Sequence, residues 1–186
     1  MVPLVSLWLP ILVSAALVFV VSSIIHMVLG YHASDYAAVP NEDGVMDALR
    51  PFAIPPGDYT IPHAASPGAL KDPQFIEKRT RGPVAMLTVF PSGAVSMAGN
   101  LMQWFGYCVL VNLFAGYIAG RAVAPGGPYL EVFRYAGTVA FAGYSLALLQ
   151  SSIWYNRKWR TTLKVVFDGL VYALATAGVF GWLWPA

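Results

Sequence analysis

The stretch LKVVFDGLVYALATAGVFGWLWP, residues 163–185, decides the fold. At 1.5 Å per residue it is long enough to cross a hydrocarbon core of about 30 Å. It holds one acid, Asp168, followed by Gly169, Ala173, Ala177 and Gly181 at four-residue spacing, and Trp182 and Trp184 close it. A carboxylate in hydrocarbon loses its hydration, so Asp168 is expected to face something other than lipid. A row of small residues lets the backbones of membrane helices approach closely.

The chain as a whole has the same character. It is 58% hydrophobic and 11% charged, against about 25% charged in an ordinary soluble domain, with a mean hydropathy of +0.61. Composition therefore predicts an integral membrane protein. Membrane-length apolar runs cover about residues 4–29, 100–120, 132–152 and 163–184. The first is longer than a signal-peptide core and nothing basic precedes it, so it reads as a retained span. The expected fold is an all-α membrane protein, a four-transmembrane-helix bundle, with residues 1–186 forming a single integral membrane domain.

Between the first two spans, about residues 30–99 form an extramembrane loop that holds most of the prolines and seven of the nine acids. Asn41-Glu42-Asp43 and Asp72-Pro73 are helix starts, each a capping residue followed by a first turn. Two extended pieces, residues 58–63 and 84–90, could pair as a small hairpin. Nothing in the loop is long enough for an independent core, so it is expected to be a compact cap lying on the bundle and not a separate domain.

Orientation follows from the basic residues. Arg157, Lys158, Arg160 and Lys164 crowd the short connection before the fourth span, whereas the connection after the second span carries Arg121 and leads to Arg134. By the positive-inside rule both termini lie outside and the long loop is cytoplasmic. The net charge of +2, distributed in this way, gives no reason to expect a nucleic-acid partner; the lipid bilayer is the expected environment.

On that topology His26, Asn100, Gln103, Gln150 and Asp168 all fall at the cytoplasmic ends of their spans, a candidate polar pocket. The competing reading pairs Asp168 with Lys164 one turn earlier, near a helix N-terminus, and leaves the amides to tie helices together. The residues favour the tie. No metal site is expected, because three scattered histidines lack zinc-ligand spacing and the spans offer only His26 toward a haem. Cys108 lies in an apolar run and reads as a core residue. No catalytic motif is present, no catalytic residue is assigned, and no cofactor is called for.

Gly116 and Gly120 form a GxxxG, and with Gly169, Ala173, Ala177 and Gly181 they make a helix-packing interface, either inside the bundle or against a neighbouring subunit. Pro40-Asn41-Glu42-Asp43, Ile54-Pro55-Pro56-Gly57, Phe167-Asp168-Gly169-Leu170 and the closing Phe180-Gly181-Trp182-Leu183-Trp184-Pro185 resemble phrases that recur, in this order, in a group of small bacterial four-span inner-membrane proteins of unassigned function. The resemblance implies a bacterial inner-membrane location and transfers no catalytic residue. The first functional expectation is a non-catalytic accessory or structural subunit that packs with other membrane subunits or with itself. The alternative is a small-molecule, ion or proton binding or transport module with a cytoplasm-facing pocket, and a membrane enzyme comes third.

Overall fold

The structure is a computed structural model that describes residues 1–94 and 96–186. In chain order its elements are a 3-10 turn at Leu4–Leu7, α1 (Trp8–Met27), α2 (Glu42–Leu49), β1 (Gly57–Ile61), α3 (Pro73–Arg81), β2 (Ala85–Val89), α4 (Met97–Ala122), α5 (Tyr129–Ser145), α6 (Leu149–Tyr155) and α7 (Trp159–Trp182). Four helices among the described residues, Leu4–Met27, Met97–Ala122, Tyr129–Tyr155 and Trp159–Trp182, are long and apolar enough to cross a membrane. The chain divides into two compact units, Met1–Tyr36 with Ser96–Ala186, and Ala37–Val95.

In the first unit α1 packs on α4 and α7, and α5 packs on α4 and α7, so the four spans close a ring. Its core has two layers. One gathers Leu7, Ile11, Ala115, Ala119, Val132, Ala136 and Phe180, and the other gathers Ala15, Val18, Cys108, Val111, Ala140, Tyr144, Tyr172 and Ala173. The outward faces are lined by exposed apolar residues such as Leu12, Leu110, Phe114, Phe167 and Leu174, as a surface solvated by lipid requires.

The small residues close this ring. A Cβ on Gly116 would meet Phe180 at 3.2 Å and Ile11 at 3.4 Å, and one on Gly120 would meet the Val2 carbonyl at 2.8 Å. On the α5–α7 face, a Cβ on Gly137 would come within 2.9 Å of Ala177 Cβ, and one on Gly169 within 3.1 Å of the Tyr144 carbonyl. A Cβ on Gly181 would lie 2.6 Å from the Tyr129 ring, while Ala173 and Ala177 are almost completely buried. The named small-residue positions are therefore covered by the chain's own helices.

The third span is not one continuous α-helix. After Ser145 the chain tightens into a 3-10 turn, Leu146–Leu148, before α6 resumes. The Ser145 hydroxyl donates to the Val166 carbonyl at 3.2 Å, tying this break to α7 beside Gly169.

In the second unit β1 and β2 pair antiparallel, from Gly57 opposite Val89 to Ile61 opposite Ala85, with α3 in the connection between them. The Asp72 carboxylate accepts from the Gln74 amide at 2.8 Å and caps α3. Asn41 precedes α2 in a left-handed conformation, with φ 51°, and its side chain makes no capping bond.

Packing at the α5–α7 seam is directly testable. Gly137→Val forces a branched side chain against Ala177 and is expected to destabilise the protein by about 1–3 kcal/mol. Gly106→Ala, in a helix with nothing within 4 Å of the added Cβ, should be neutral or stabilise by up to about 1 kcal/mol. Unfolding in mild detergent measures both; equal midpoints would contradict the seam.

Candidate functional site

The site begins where α1 ends. The Val28 and Leu29 amides both bond to the Ile24 carbonyl, at 2.9 and 3.2 Å, and Gly30 then takes φ +63°, a left-handed conformation in which glycine carries no Cβ penalty. Two successive turns follow, with Ala33 N bonded to Gly30 O at 3.0 Å and Asp35 N to His32 O at 2.9 Å. These turns put Tyr31, His32 and Asp35 against α7.

Asp168 lies there, with 1% of its side chain exposed. The Tyr31 hydroxyl donates to its Oδ1, and His32 Nε2 stands 2.8 Å from its Oδ2. The other ring nitrogen, His32 Nδ1, is 2.6 Å from Asp35 Oδ2. Lys164 Nζ donates to Asp35 Oδ1 at 2.7 Å, to the Tyr31 carbonyl at 2.6 Å and to the Ser34 hydroxyl at 3.2 Å. The result is a continuous relay, Asp168–His32–Asp35–Lys164. Carboxylates only accept hydrogen bonds, so with both aspartates ionised the ring between them carries a hydrogen on each nitrogen. Lys164 pairs with Asp35, and the His32 ring bridges the two carboxylates, so neither buried acid is left without a partner. Burial pushes the Asp35 carboxyl up, but the hydrogen bonds from Lys164 and His32, with their charges, outweigh it and hold the group below the ordinary carboxylate value.

His26, on the last turn of α1, stacks over this relay, its ring centroid 4.5 Å from that of His32 with the planes tilted by 36°. Its side chain is exposed, unlike Asp168. One ligating atom from each of His26, His32 and Asp168 can be chosen so that all three lie within 4.8 Å of one another. An open groove of about 710 Å³, lined by Tyr31, Arg160, Leu163, Lys164 and Phe167, adjoins the relay.

Toward the core, Asp168 continues into Tyr172 and Thr176, one turn apart on the same buried face of α7. Tyr172 packs edge-on against Trp104 and Tyr144, with centroids 6.0 and 5.6 Å away. Trp104 in turn donates to the Ser22 hydroxyl at 2.8 Å. Among the described residues, the Tyr172 and Thr176 hydroxyls, the Ser14 hydroxyl and the Asn112 carbonyl oxygen are buried without a hydrogen-bond partner in the protein.

The structure rearranges the partners that the sequence suggested for Asp168. The Asp168–Lys164 pair does not form, because Lys164 is drawn to Asp35 and Asp168 to His32 and Tyr31. Nor does Asp168 lie near a helix N-terminus: α7 starts at Trp159, so Asp168 is roughly 13 Å along it, beyond the first turn where the dipole acts. Of the five candidate pocket residues, His26 and Asp168 come together, whereas Asn100, Gln103 and Gln150 are exposed and make no side-chain hydrogen bond among the described residues. The turn after α1 folds His32 back beside His26 and Asp168, a proximity that the spacing of the histidines along the sequence does not convey. Tyr31, His32, Asp35 and Lys164 were missed as partners. The available signal was Gly30, a helix stop, followed at once by the polar run Tyr31-His32-Ala33-Ser34-Asp35.

Compared with known proteins, the chain matches no family model, no curated protein and no solved structure.

Lys164→Met tests the relay. It leaves Asp35 with one cationic partner fewer and should destabilise the protein by about 1–3 kcal/mol near pH 7. Because the Asp35 value is depressed, this contribution is present above about pH 4 and is lost as the pH falls below it. The gap between variant and wild type should therefore shrink in acid. Unfolding midpoints from pH 7 to pH 3 measure it, and a gap that persists unchanged at pH 3 would refute the coupling.

Proposed function

We propose that the protein is a multi-pass membrane binding module whose function resides in the relay around Asp168, and that its ligand is a cation or a proton. The observation that carries this reading is Asp168 itself: a carboxylate 1% exposed, tied to the His32 ring and the Tyr31 hydroxyl from a separate segment of the chain. Hydrocarbon-packed bundles exclude such groups unless they bind something, conduct something or hold the fold. The polar row Asp168, Tyr172 and Thr176 supports the first two, because it carries the polar character of the site along the buried face of α7 into the core.

The bilayer in question is the inner membrane of a bacterium, with both termini outside and residues 37–94 cytoplasmic. The basic connection Arg157–Lys158–Arg160–Lys164 and the resemblance of the four quoted phrases support this placement. An accessory-subunit role is the weaker reading, because the small-residue rows that suggested a partner pack against helices of the same chain.

Asp168→Asn separates binding from mere support. Asparagine keeps the shape and still accepts from Tyr31, but it removes the charge. With the protein in nanodiscs, unfolding midpoints are recorded against pH and against added Na⁺, K⁺, Mg²⁺ and Zn²⁺. A ligand at 100 times its Kd stabilises the native state by about 2.7 kcal/mol. Wild type is expected to respond to at least one condition and the variant to lose that response. Identical responses would reduce the relay to a structural tie.

A further inference from the structure

We infer that His26, His32 and Asp168 form a binding site for one divalent transition-metal ion of the zinc type, resting on the reading of the Asp168 relay as a binding site. Two imidazoles and one carboxylate are a borderline donor set, suited to Zn²⁺ or Co²⁺ more than to Ca²⁺ or Mg²⁺, which take all-oxygen shells. The three donors come from the last turn of α1, the turn after Gly30 and the middle of α7. Three protein ligands leave a fourth position for water or a further ligand.

Two of the donor atoms, His32 Nε2 and Asp168 Oδ2, already stand 2.8 Å apart. Ligand atoms around a tetrahedral ion at about 2.0–2.1 Å are separated by about 3.3 Å. All three separations are at most 4.8 Å, so small side-chain shifts bring the donors to a common ion.

The surroundings of the ligands carry the inference beyond proximity. A metal-binding histidine characteristically gives its second ring nitrogen to a carboxylate, which fixes the tautomer and raises the ring's basicity. His32 does this: Nδ1 faces Asp35 at 2.6 Å, which leaves Nε2, directed at Asp168, as the metal-binding nitrogen. Asp35 is itself held by Lys164, and the Asp168 oxygen that would not bind the metal is held by Tyr31. Each supporting group is thus in place before any ion arrives. The exposed His26 ring marks the approach, because the neighbouring groove presents Arg160 and Lys164 and repels cations.

The test uses the full chain, purified in mild detergent, stripped with chelator and titrated with Co²⁺ followed by Zn²⁺. Wild type is expected to take up one Co²⁺ per chain with a ligand-field absorption band that Zn²⁺ abolishes. His26→Ala is the decisive variant, since this exposed ring makes no hydrogen bond among the described residues and its loss should leave the unfolding midpoint in place. It should weaken Co²⁺ binding by more than 100-fold, and Asp35→Asn by about 10–100-fold with the band retained. A folded wild type that binds no Co²⁺, or a His26→Ala protein that binds it as tightly as wild type, overturns the metal site. A pH or monovalent-cation response that depends on Asp168 in a protein that ignores Co²⁺ would likewise overturn the metal while leaving the broader binding reading standing.

Discussion

The burial of the Asp168 carboxylate is the constraint on which the rest of the first unit depends. An unpaired charge at 1% exposure would cost several kcal/mol even after relaxation of its surroundings. Two groups meet it, Tyr31 and His32, and both come from a turn outside the span. That turn is in turn held by Lys164, which reaches from α7 to Asp35, Ser34 and the Tyr31 backbone. Removal of one member leaves another buried group short of a partner, so the set acts as a unit rather than as a sum of pairs. The segment after α1, which could have been a flexible exit, is ordered for this reason.

The same helix carries the two features that give the bundle its character. Gly169, Ala173, Ala177 and Gly181 form the surface on which α5 packs closely, and Asp168, Tyr172 and Thr176 lie one residue before the first three of them. Close backbone packing on one face fixes the rotation of α7, and therefore the direction in which Asp168 points. Positioning on rigid, tightly packed elements is what a binding constellation needs if its geometry is to be set before the ligand arrives. The 3-10 break after Ser145 belongs to this arrangement, since Ser145 bonds to the α7 backbone where the polar and small-residue rows begin.

How far the site could be read from sequence differed between its members. Asp168 and His26 stood out because titratable residues in apolar runs are rare and each needs an explanation. Asn100, Gln103 and Gln150 also sat at span ends, but position along a helix says nothing about which way a side chain faces, and they are exposed. His32 and Asp35 lie in a turn, where no periodicity operates, and their role depends on the chain reversing at Gly30. Lys164 was assigned to the wrong acid because one-turn spacing on a helix permits an ion pair without compelling it. A partner 129 residues away in sequence won: Lys164 reaches Asp35 at 2.7 Å, while His32 and Tyr31 hold Asp168.

By itself the sequence determined that the chain has four helices of membrane length, because the length and apolarity of a run suffice to predict a helix whose backbone is satisfied internally. It also determined a two-stranded element in the long loop, since short β-rich runs carry a local signal. Only the tertiary structure decided which small-residue rows meet which helices, and which charges meet which acids. Those are questions of rotation about each helix axis and of where a turn folds back, and both are set by contacts between residues far apart in the chain.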